Sequence, residues 1–176
     1  MPDDWIRQWG DAALREVAAP VSAIDDLLRR RVRRMTDLLL EADGAGLAAT
    51  QVGFLRRLFV YRETREDPVR VLVNPRVAEA SREEEGFEEG CLSFMAVTVE
   101  VRRPVAVRVE AVDLDGGAVT IDAEGPLASL MQHEIDHLDG MLTLDRAEPA
   151  ERRRALAVLL DEAGQARSAT SSSASD

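Results

Sequence analysis

The amino-acid sequence predicts an α+β protein in which mostly antiparallel β-sheets pack around a central helix, with an amphipathic helix before them and another helix after them. Three observations lead to this prediction. Apolar residues recur at helical spacing early and late in the chain, short runs rich in β-branched residues fill the middle, and a tight turn joins two of those runs. We expect one domain over residues 1–164, followed by a disordered Ser/Thr/Ala-rich tail at 165–176.

The first predicted element is an amphipathic helix over residues 25–43. Its apolar residues recur at steps of three and four, and Asp25 is placed to cap its amino end. Arginines crowd its other side, and we interpret them as a solvated face, with a docking patch as the alternative. Gly44 and Gly46 follow, and we expect them to end the helix and form a loop, because glycine readily adopts positive φ.

The middle of the chain is predicted to form strands. Residues there are rich in valine and alternate with charged residues, which is typical of half-buried strands. The predicted strands cover residues 58–61, 69–73, 97–101, 105–114 and 118–121. Asp115-Gly116-Gly117 between the last two indicates a hairpin, so the sheet is expected to be mostly antiparallel.

Two further helices complete the prediction. Residues 126–138 again show helical spacing of apolar positions, and Gly140 supplies a stop signal. This helix is apolar nearly all round except at one polar motif, which predicts that it lies in the centre of the fold. The last helix is predicted over approximately residues 149–162.

Composition excludes several function classes. A net charge of −11 argues against a protein that coats nucleic-acid phosphates with cations, so we expect no DNA binding and only local contact with RNA. No apolar run approaches the roughly 18 to 20 residues of a membrane span. The acidic opening of the chain lacks a secretory or transit signal, which predicts a cytoplasmic location. A single cysteine, Cys91, cannot form an internal disulfide.

Both histidines of the chain lie in the motif His133-Glu134-Ile135-Asp136-His137. On a helix, residues four apart share one face, so two imidazoles can bind one metal ion while Glu134 acts on a water beside it. A catalytic metal site usually has three protein ligands. The third ligand is either Cys91 or, as in thermolysin-like proteases, one of the later carboxylates Glu148, Glu151, Asp161 and Glu162.

Three segments resemble the signature motifs of peptide deformylases and occur in the same order. They are residues 44–51 (GAGLAATQ), 89–93 (EGCLS) and 132–140 (QHEIDHLDG), with a matching LVNP at 72–75. The resemblance covers roughly residues 10–160. It implies a metal-dependent hydrolase that removes the formyl group from the N-terminal formylmethionine of new bacterial polypeptides and releases formate.

The resemblance also implies a ligand set. Cys91, His133 and His137 would bind one divalent metal ion, with water in the fourth position. Glu134 would accept a proton from that water and return a proton to the departing amine. Relatives favour Fe(II) in the cell, whereas zinc, nickel and cobalt also accept one sulfur and two nitrogens.

The remaining site residues come from the resemblance as well. Gln51 and the backbone N–H of Leu92 would stabilise the negative oxygen that forms on the formyl group. The methionine side chain would lie among small, apolar and polar residues, namely Ala45, Gly46, Glu89, Ser129 and Leu130. Two departures from the family lie near this groove: Phe94-Met95-Ala96 replaces an Ile/Val-Pro sequence, and Ser129 replaces a residue that is usually apolar.

The expected partner is a formylmethionyl nascent chain, and Arg152, Arg153 and Arg154 suggest a ribosome contact through the last helix. Two other functions stay open. A protease of the HExxH type would use a carboxylate ligand and would leave Cys91 and Gln51 unexplained. A structural metal module or an inactive, ribosome-associated relative is the alternative without catalysis, although a structural site needs a fourth protein ligand.

Overall fold

The computed structural model describes residues 5–172, with side chains up to residue 165. Within the described residues four α-helices are formed: α1 (Asp26–Glu41), α2 (Gly125–Leu138), α3 (Thr143–Arg146) and α4 (Pro149–Ser172). Seven strands are formed: β1 (Gly46–Ala48), β2 (Leu58–Tyr61), β3 (Arg70–Ala80), β4 (Glu84–Gly90), β5 (Thr98–Pro104), β6 (Ala106–Val112) and β7 (Ala118–Glu124). The predicted α+β class is confirmed.

The strands form two antiparallel sheets. One has five strands in the order β1-β2-β3-β6-β7, and the other contains only β4 and β5. The hairpin predicted at Asp115-Gly116-Gly117 joins β6 to β7, and Gly116 has φ of +86°. Strands β1 and β4 were not predicted, because β1 has three residues and β4 is built from glutamate and glycine, which are depleted in strands.

Alternate residues of β2 separate the two faces of the five-stranded sheet. Phe59 and Tyr61 pack with Met131 and Leu138 of α2, whereas Leu58 and Val60 pack with apolar residues of α1. Because successive side chains of a strand point to opposite faces, α1 and α2 cover opposite faces of this sheet. A third cluster joins the Cys91 segment and β5 to α3 and α4. Helix α2 therefore lies at the centre, as predicted.

Helix α1 begins as predicted and ends differently. Asp25 Oδ1 accepts a hydrogen bond from Leu28 N at 2.8 Å, which caps the helix. At the other end Asp43, rather than Gly44, takes the left-handed conformation, with φ of +52°. The expectation of positive φ at Gly44 is wrong. The space at Gly44 is nevertheless tight, since a Cβ would lie 2.8 Å from methyl carbons of Leu39 and Leu92, and those side chains would have to shift.

The two later helices show one prediction confirmed and one corrected. Helix α2 ends at Leu138, and Gly140 follows with φ of +72°, as its stop signal predicted. Helix α4 continues to Ser172, past the end expected near residue 162 and into the segment expected to be disordered. Alanine recurs along that segment and is the best helix former, which favours continuation. Residues 173–176 of the predicted tail lie outside the described residues. Within 5–172 no helix is both long and apolar enough to span a membrane.

Asn74 provides a test of the fold. It has φ of +52°, its Oδ1 accepts from Val21 N at 2.8 Å, and its Nδ2 donates to Val21 O at 2.9 Å. We expect Asn74→Ala to lower the free energy of unfolding by about 2 kcal/mol, because two hydrogen bonds are lost and alanine is strained at positive φ. Urea unfolding measures this loss. Asn74→Gly relieves the strain and should lose about half as much; equal losses would show that strain contributes nothing.

Candidate metal centre

The three donors proposed as metal ligands lie close together in the structure. Helix α2 places His133 and His137 one turn apart on the same face, and Cys91 follows directly after β4. Cys91 Sγ lies 3.2 Å from His137 Nε2, and His137 Nε2 lies 3.2 Å from His133 Nε2. All three side chains are buried, and the donor atoms lie within 4.8 Å of one another.

This geometry fits a tetrahedral metal ion. With metal–nitrogen distances near 2.0–2.1 Å and a metal–sulfur distance near 2.3 Å, tetrahedral ligand atoms lie about 3.3–3.6 Å apart. One thiolate and two imidazoles suit zinc and the other transition metals considered above. Among the described residues no other group of three or more histidine, cysteine or acidic side chains could hold a metal ion, so the carboxylates of the protease alternative do not join these histidines.

Glu89 contacts His133 through Nδ1, the ring nitrogen that is not proposed to bind the metal. Its Oε2 lies 3.0 Å from His133 Nδ1 and accepts from Arg103 Nη2 at 2.9 Å, while its Oε1 accepts from Ser129 Oγ at 2.7 Å. Burial alone raises the pKa of Glu89, but hydrogen bonds and charges from His133 and Arg103 outweigh it and lower that pKa to about 2. The carboxylate therefore stays charged and orients the imidazole, leaving its Nε2 for a metal.

The sequence prediction missed Arg103, which is almost completely buried. Arg103 Nη1 donates to Asp136 Oδ2 at 2.8 Å, and Arg146 donates to both oxygens of Asp136. One signal could have revealed the position: Arg103 is two residues after Val101 in β5, so strand alternation places it on the same buried face. A buried arginine needs hydrogen-bond acceptors for its donors, and here they are the buried carboxylates of Glu89 and Asp136.

The environment of the Glu134 carboxyl group differs from that of Glu89. Glu134 is 2% exposed, and its Oε2 has no hydrogen-bond partner among the described residues. Burial raises the pKa of Glu134 to about 7. Gly46 of β1 packs directly on it, since a Cβ at that position would lie 2.7 Å from Glu134 Cδ. A carboxyl group with this pKa can both accept and return a proton near neutral pH.

Gln51 is buried beside the cysteine, in the 3-10 turn Ala49–Val52. Its Nε2 donates to Ser93 Oγ at 3.1 Å and lies 3.5 Å from Cys91 Sγ, while its Oε1 accepts from Ala48 N at 2.8 Å. The amide nitrogen therefore lies beside the sulfur of Cys91, and the hydrogen bond at the amide oxygen holds it in place.

A cavity of about 570 Å³ opens beside these groups. All the residues expected around the methionine side chain line it, together with the other site residues except His137: Ala45, Gly46, Gln51, Glu89, Cys91, Leu92, Ser129, Leu130, His133 and Glu134. Glu89 takes part with its carboxylate already bonded to protein groups, so it offers no free charge to a ligand. Of the departing residues, Phe94 is buried in the third cluster and Met95 is 72% exposed at the cavity rim.

Comparison with known proteins agrees with this geometry. The model of the polypeptide deformylase family matches residues 3–153. A peptide deformylase of Thermotoga neapolitana is 43% identical over 162 residues, covering 92% of this chain and 98% of that protein. One of Rhizobium meliloti is 43% identical over 145 residues, covering 81% and 83%.

Solved structures agree as well. A peptide deformylase from Legionella pneumophila superposes with a TM-score of 0.86 at 36% identity, covering 93% of this chain and 96% of that one. A peptide deformylase from Synechococcus elongatus, solved in complex with actinonin, gives 0.84 at 40% identity, covering 93% and 89%. The likeness extends over nearly the whole chain in both.

The adjacent residues Arg102 and Arg103 allow a matched test of the buried network. Replacing Arg103 with Leu leaves Glu89 without its bidentate partner, so we expect metal affinity to fall about 10- to 100-fold and stability to fall by roughly 3–5 kcal/mol. Arg102, which is 61% exposed, serves as the control, and Arg102→Leu should change neither quantity appreciably. Chelator competition and urea unfolding provide the two measurements. Equal metal affinity in both variants would show that Glu89 orients His133 without help from Arg103.

Proposed function

The chain belongs to the polypeptide deformylase family, and from this premise we propose that it removes the formyl group from the N-terminal formylmethionine of newly made polypeptides. The products are formate and a free amino terminus. The observation that carries the proposal is the cluster of Cys91, His133 and His137, of which Cys91 and His133 line one cavity together with Glu134. The proposed native metal is Fe(II), with zinc, nickel and cobalt as ions the same donors accept.

The metal ion would be held by the Cys91 thiolate and the Nε2 atoms of His133 and His137. A bound divalent ion supplies Lewis-acid chemistry, which makes water a nucleophile near neutral pH and polarises a carbonyl. Three protein ligands would leave room for a water or substrate ligand, as expected for a catalytic site. The contact of Glu89 with His133 Nδ1 supports this arrangement, because it fixes which imidazole nitrogen faces the metal.

Glu134 is proposed as the residue that moves the proton. Its carboxyl group lies in the cavity wall with one oxygen unpartnered by protein groups. It would accept a proton from the attacking water and deliver it to the amine nitrogen as the C–N bond breaks. Its raised pKa suits both steps, since a group that titrates near the working pH can accept and donate a proton with little cost.

Gln51 and Leu92 are proposed to stabilise the developing oxyanion. The Gln51 amide is buried and held at its oxygen by Ala48 N, so its nitrogen is in place beside Cys91 before a substrate arrives, and one of its N–H groups would exchange its present acceptor for the oxyanion. Leu92 follows Cys91 directly and lines the same cavity, which allows its backbone N–H to point at the same oxygen. Donors that are already in place need no reorganisation when charge develops.

The methionine side chain is proposed to enter the cavity between Gly46 and Ser129. The hydroxyl of Ser129 donates to Glu89, so neither polar group presents an unsatisfied atom to the ligand. The apolar side chain of Leu130 and the small residues Ala45 and Gly46 complete a pocket suited to an unbranched thioether.

We also propose that the protein acts in the cytoplasm and meets its substrate at the ribosome through helix α4. Only part of the arginine run is available for this contact. Arg152 donates to the carbonyl oxygens of Leu144 and Asp145, and Arg154 donates to Glu151 and to Thr98 O. Arg153, which is exposed, is therefore the proposed ribosome-facing cation of the three.

Replacing Glu134 with Gln tests the chemistry. The amide is nearly isosteric and cannot accept the proton, so we expect kcat for a formyl-Met tripeptide to fall about 10²- to 10⁴-fold with metal still bound. Formate release and metal analysis are measured on protein prepared without oxygen. Glu85→Gln, at an exposed position of β4 that does not line the cavity, is the matched control and should keep its activity. Full metal occupancy without turnover in the unaltered protein would favour an inactive relative.

Arg153→Glu tests the ribosome contact. Reversing one exposed charge should weaken an electrostatic contact, so we expect less protein to co-sediment with ribosomes, and the difference to shrink as salt is added. Arg82→Glu, on the loop between β3 and β4, changes the net charge equally and serves as the control. If both variants sediment like the unaltered protein, α4 does not bind through this charge.

A further inference from the structure

A buried arginine on the far side of the cavity wall is unused by the chemistry described above. Arg62 directly follows β2, and its side chain is only 7% exposed. Burying a guanidinium is costly unless its donors are satisfied, so its partners indicate what it holds in place. Within the described residues its hydrogen bonds reach one carbonyl, Arg65 O, and otherwise three consecutive residues: Asp43, Gly44 and Ala45.

Three hydrogen bonds from Arg62 hold residues 43–45 in place. Arg62 Nη2 donates to Asp43 Oδ1 at 2.8 Å, Nε donates to Gly44 O at 2.8 Å, and the backbone N donates to Ala45 O at 2.8 Å. The planar guanidinium reaches the first two groups at once, which the single ammonium of a lysine would not reproduce.

The segment that Arg62 holds forms the C-terminal end of α1. Gly44 N donates to Leu39 O at 2.9 Å and Asp43 N donates to Leu40 O at 3.1 Å, the hydrogen-bond pattern of a Schellman helix end. The left-handed position in this motif is usually glycine, whereas here it is Asp43 with φ of +52°. An aspartate there is less favourable than glycine, and the ion pair with Arg62 offsets that cost.

The same segment forms one wall of the substrate cavity. Asp43, Gly44 and Ala45 line it, and Gly46 continues the wall against Glu134. Gly44 packs closely against Leu92, whose backbone N–H is the proposed oxyanion donor. A Cβ at Gly44 would lie 2.8 Å from a Leu92 methyl carbon. A shift of this wall would alter the space for the ligand while leaving Cys91, His133 and His137 in place.

We propose that Arg62 is a positioning residue for peptide binding: it fixes the wall at residues 43–46 through Asp43, Gly44 and Ala45. The inference rests on the proposed function for its kinetic part. Arg62→Gln should raise KM for a formyl-Met tripeptide about tenfold, while kcat changes less than about threefold and metal content is unchanged. A purely structural role would lower the unfolding temperature without this division between KM and kcat.

Arg65→Ala is the matched control. The Arg65 side chain binds the other oxygen of Asp43 at 2.6 Å but is 75% exposed. Removing it therefore leaves the hydrogen bonds of the buried Arg62 side chain intact. Hydrogen exchange gives a readout without catalysis: the amides of Gly44 and Arg62 should exchange faster in Arg62→Gln and at the normal rate in Arg65→Ala. Absence of formate release by the unaltered protein would reject the proposed function, and the exchange comparison would still test the wall.

Two results would overturn the proposal. One is an unchanged KM together with unchanged exchange in Arg62→Gln. The other concerns the double variant Asp43→Gly with Arg62→Gln, which keeps the left-handed helix end with glycine if the single variant fails to fold. Its Gly44 carbonyl still lacks a donor, so KM should stay raised; a KM equal to that of the unaltered protein would reject Arg62 as the residue that positions the wall.

Discussion

The site depends on one buried carboxylate, that of Glu89, which connects the paired strands β4 and β5 to helix α2. It belongs to β4, it contacts a histidine of α2, and it pairs with Arg103 of β5. Cys91 comes two residues later, so the position of its sulfur relative to His133 is set by the same contact. Both Arg103 and Glu89 are nearly excluded from solvent. Loss of either partner would leave a buried charge unpaired, which is costly, so the ion pair is strongly maintained.

The environments of two glutamates separate their roles. Glu89 is surrounded by donors and its pKa is lowered to about 2, whereas Glu134 is buried with an unpartnered oxygen and its pKa is raised to about 7. The two residues belong to adjacent parts of the site, yet one stays charged to hold an imidazole and the other can exchange a proton. Environment decides the role of each carboxyl group.

The fold, and the histidine pair proposed to bind the metal, were predictable where the signal is local. Helical spacing located α1 and α2, and the i, i+4 histidines needed only the geometry of one helix. The burial of Arg103 and its contacts with Glu89 were not predicted. A charged residue in β5 is expected to face solvent unless the alternation of buried and exposed residues is continued to the end of the strand. Asp43 was missed for a different reason: its left-handed backbone is supported by Arg62, which is nineteen residues away along the chain. Such support arises only in the folded chain, so local propensity favoured the neighbouring glycine.

All 22 basic residues of the chain are arginine, and the structure shows how differently they act. Arg103 reaches Glu89 with two donors and Asp136 with a third, and Arg62 reaches a carboxylate and two carbonyls. Both side chains use a rigid fork of N–H groups to join separate segments, one behind the metal ligands and the other behind the cavity wall. Arg153, by contrast, is exposed on α4. The number of arginines therefore says little about binding partners, since burial and hydrogen-bond partners determine whether a guanidinium organises the site or faces solvent.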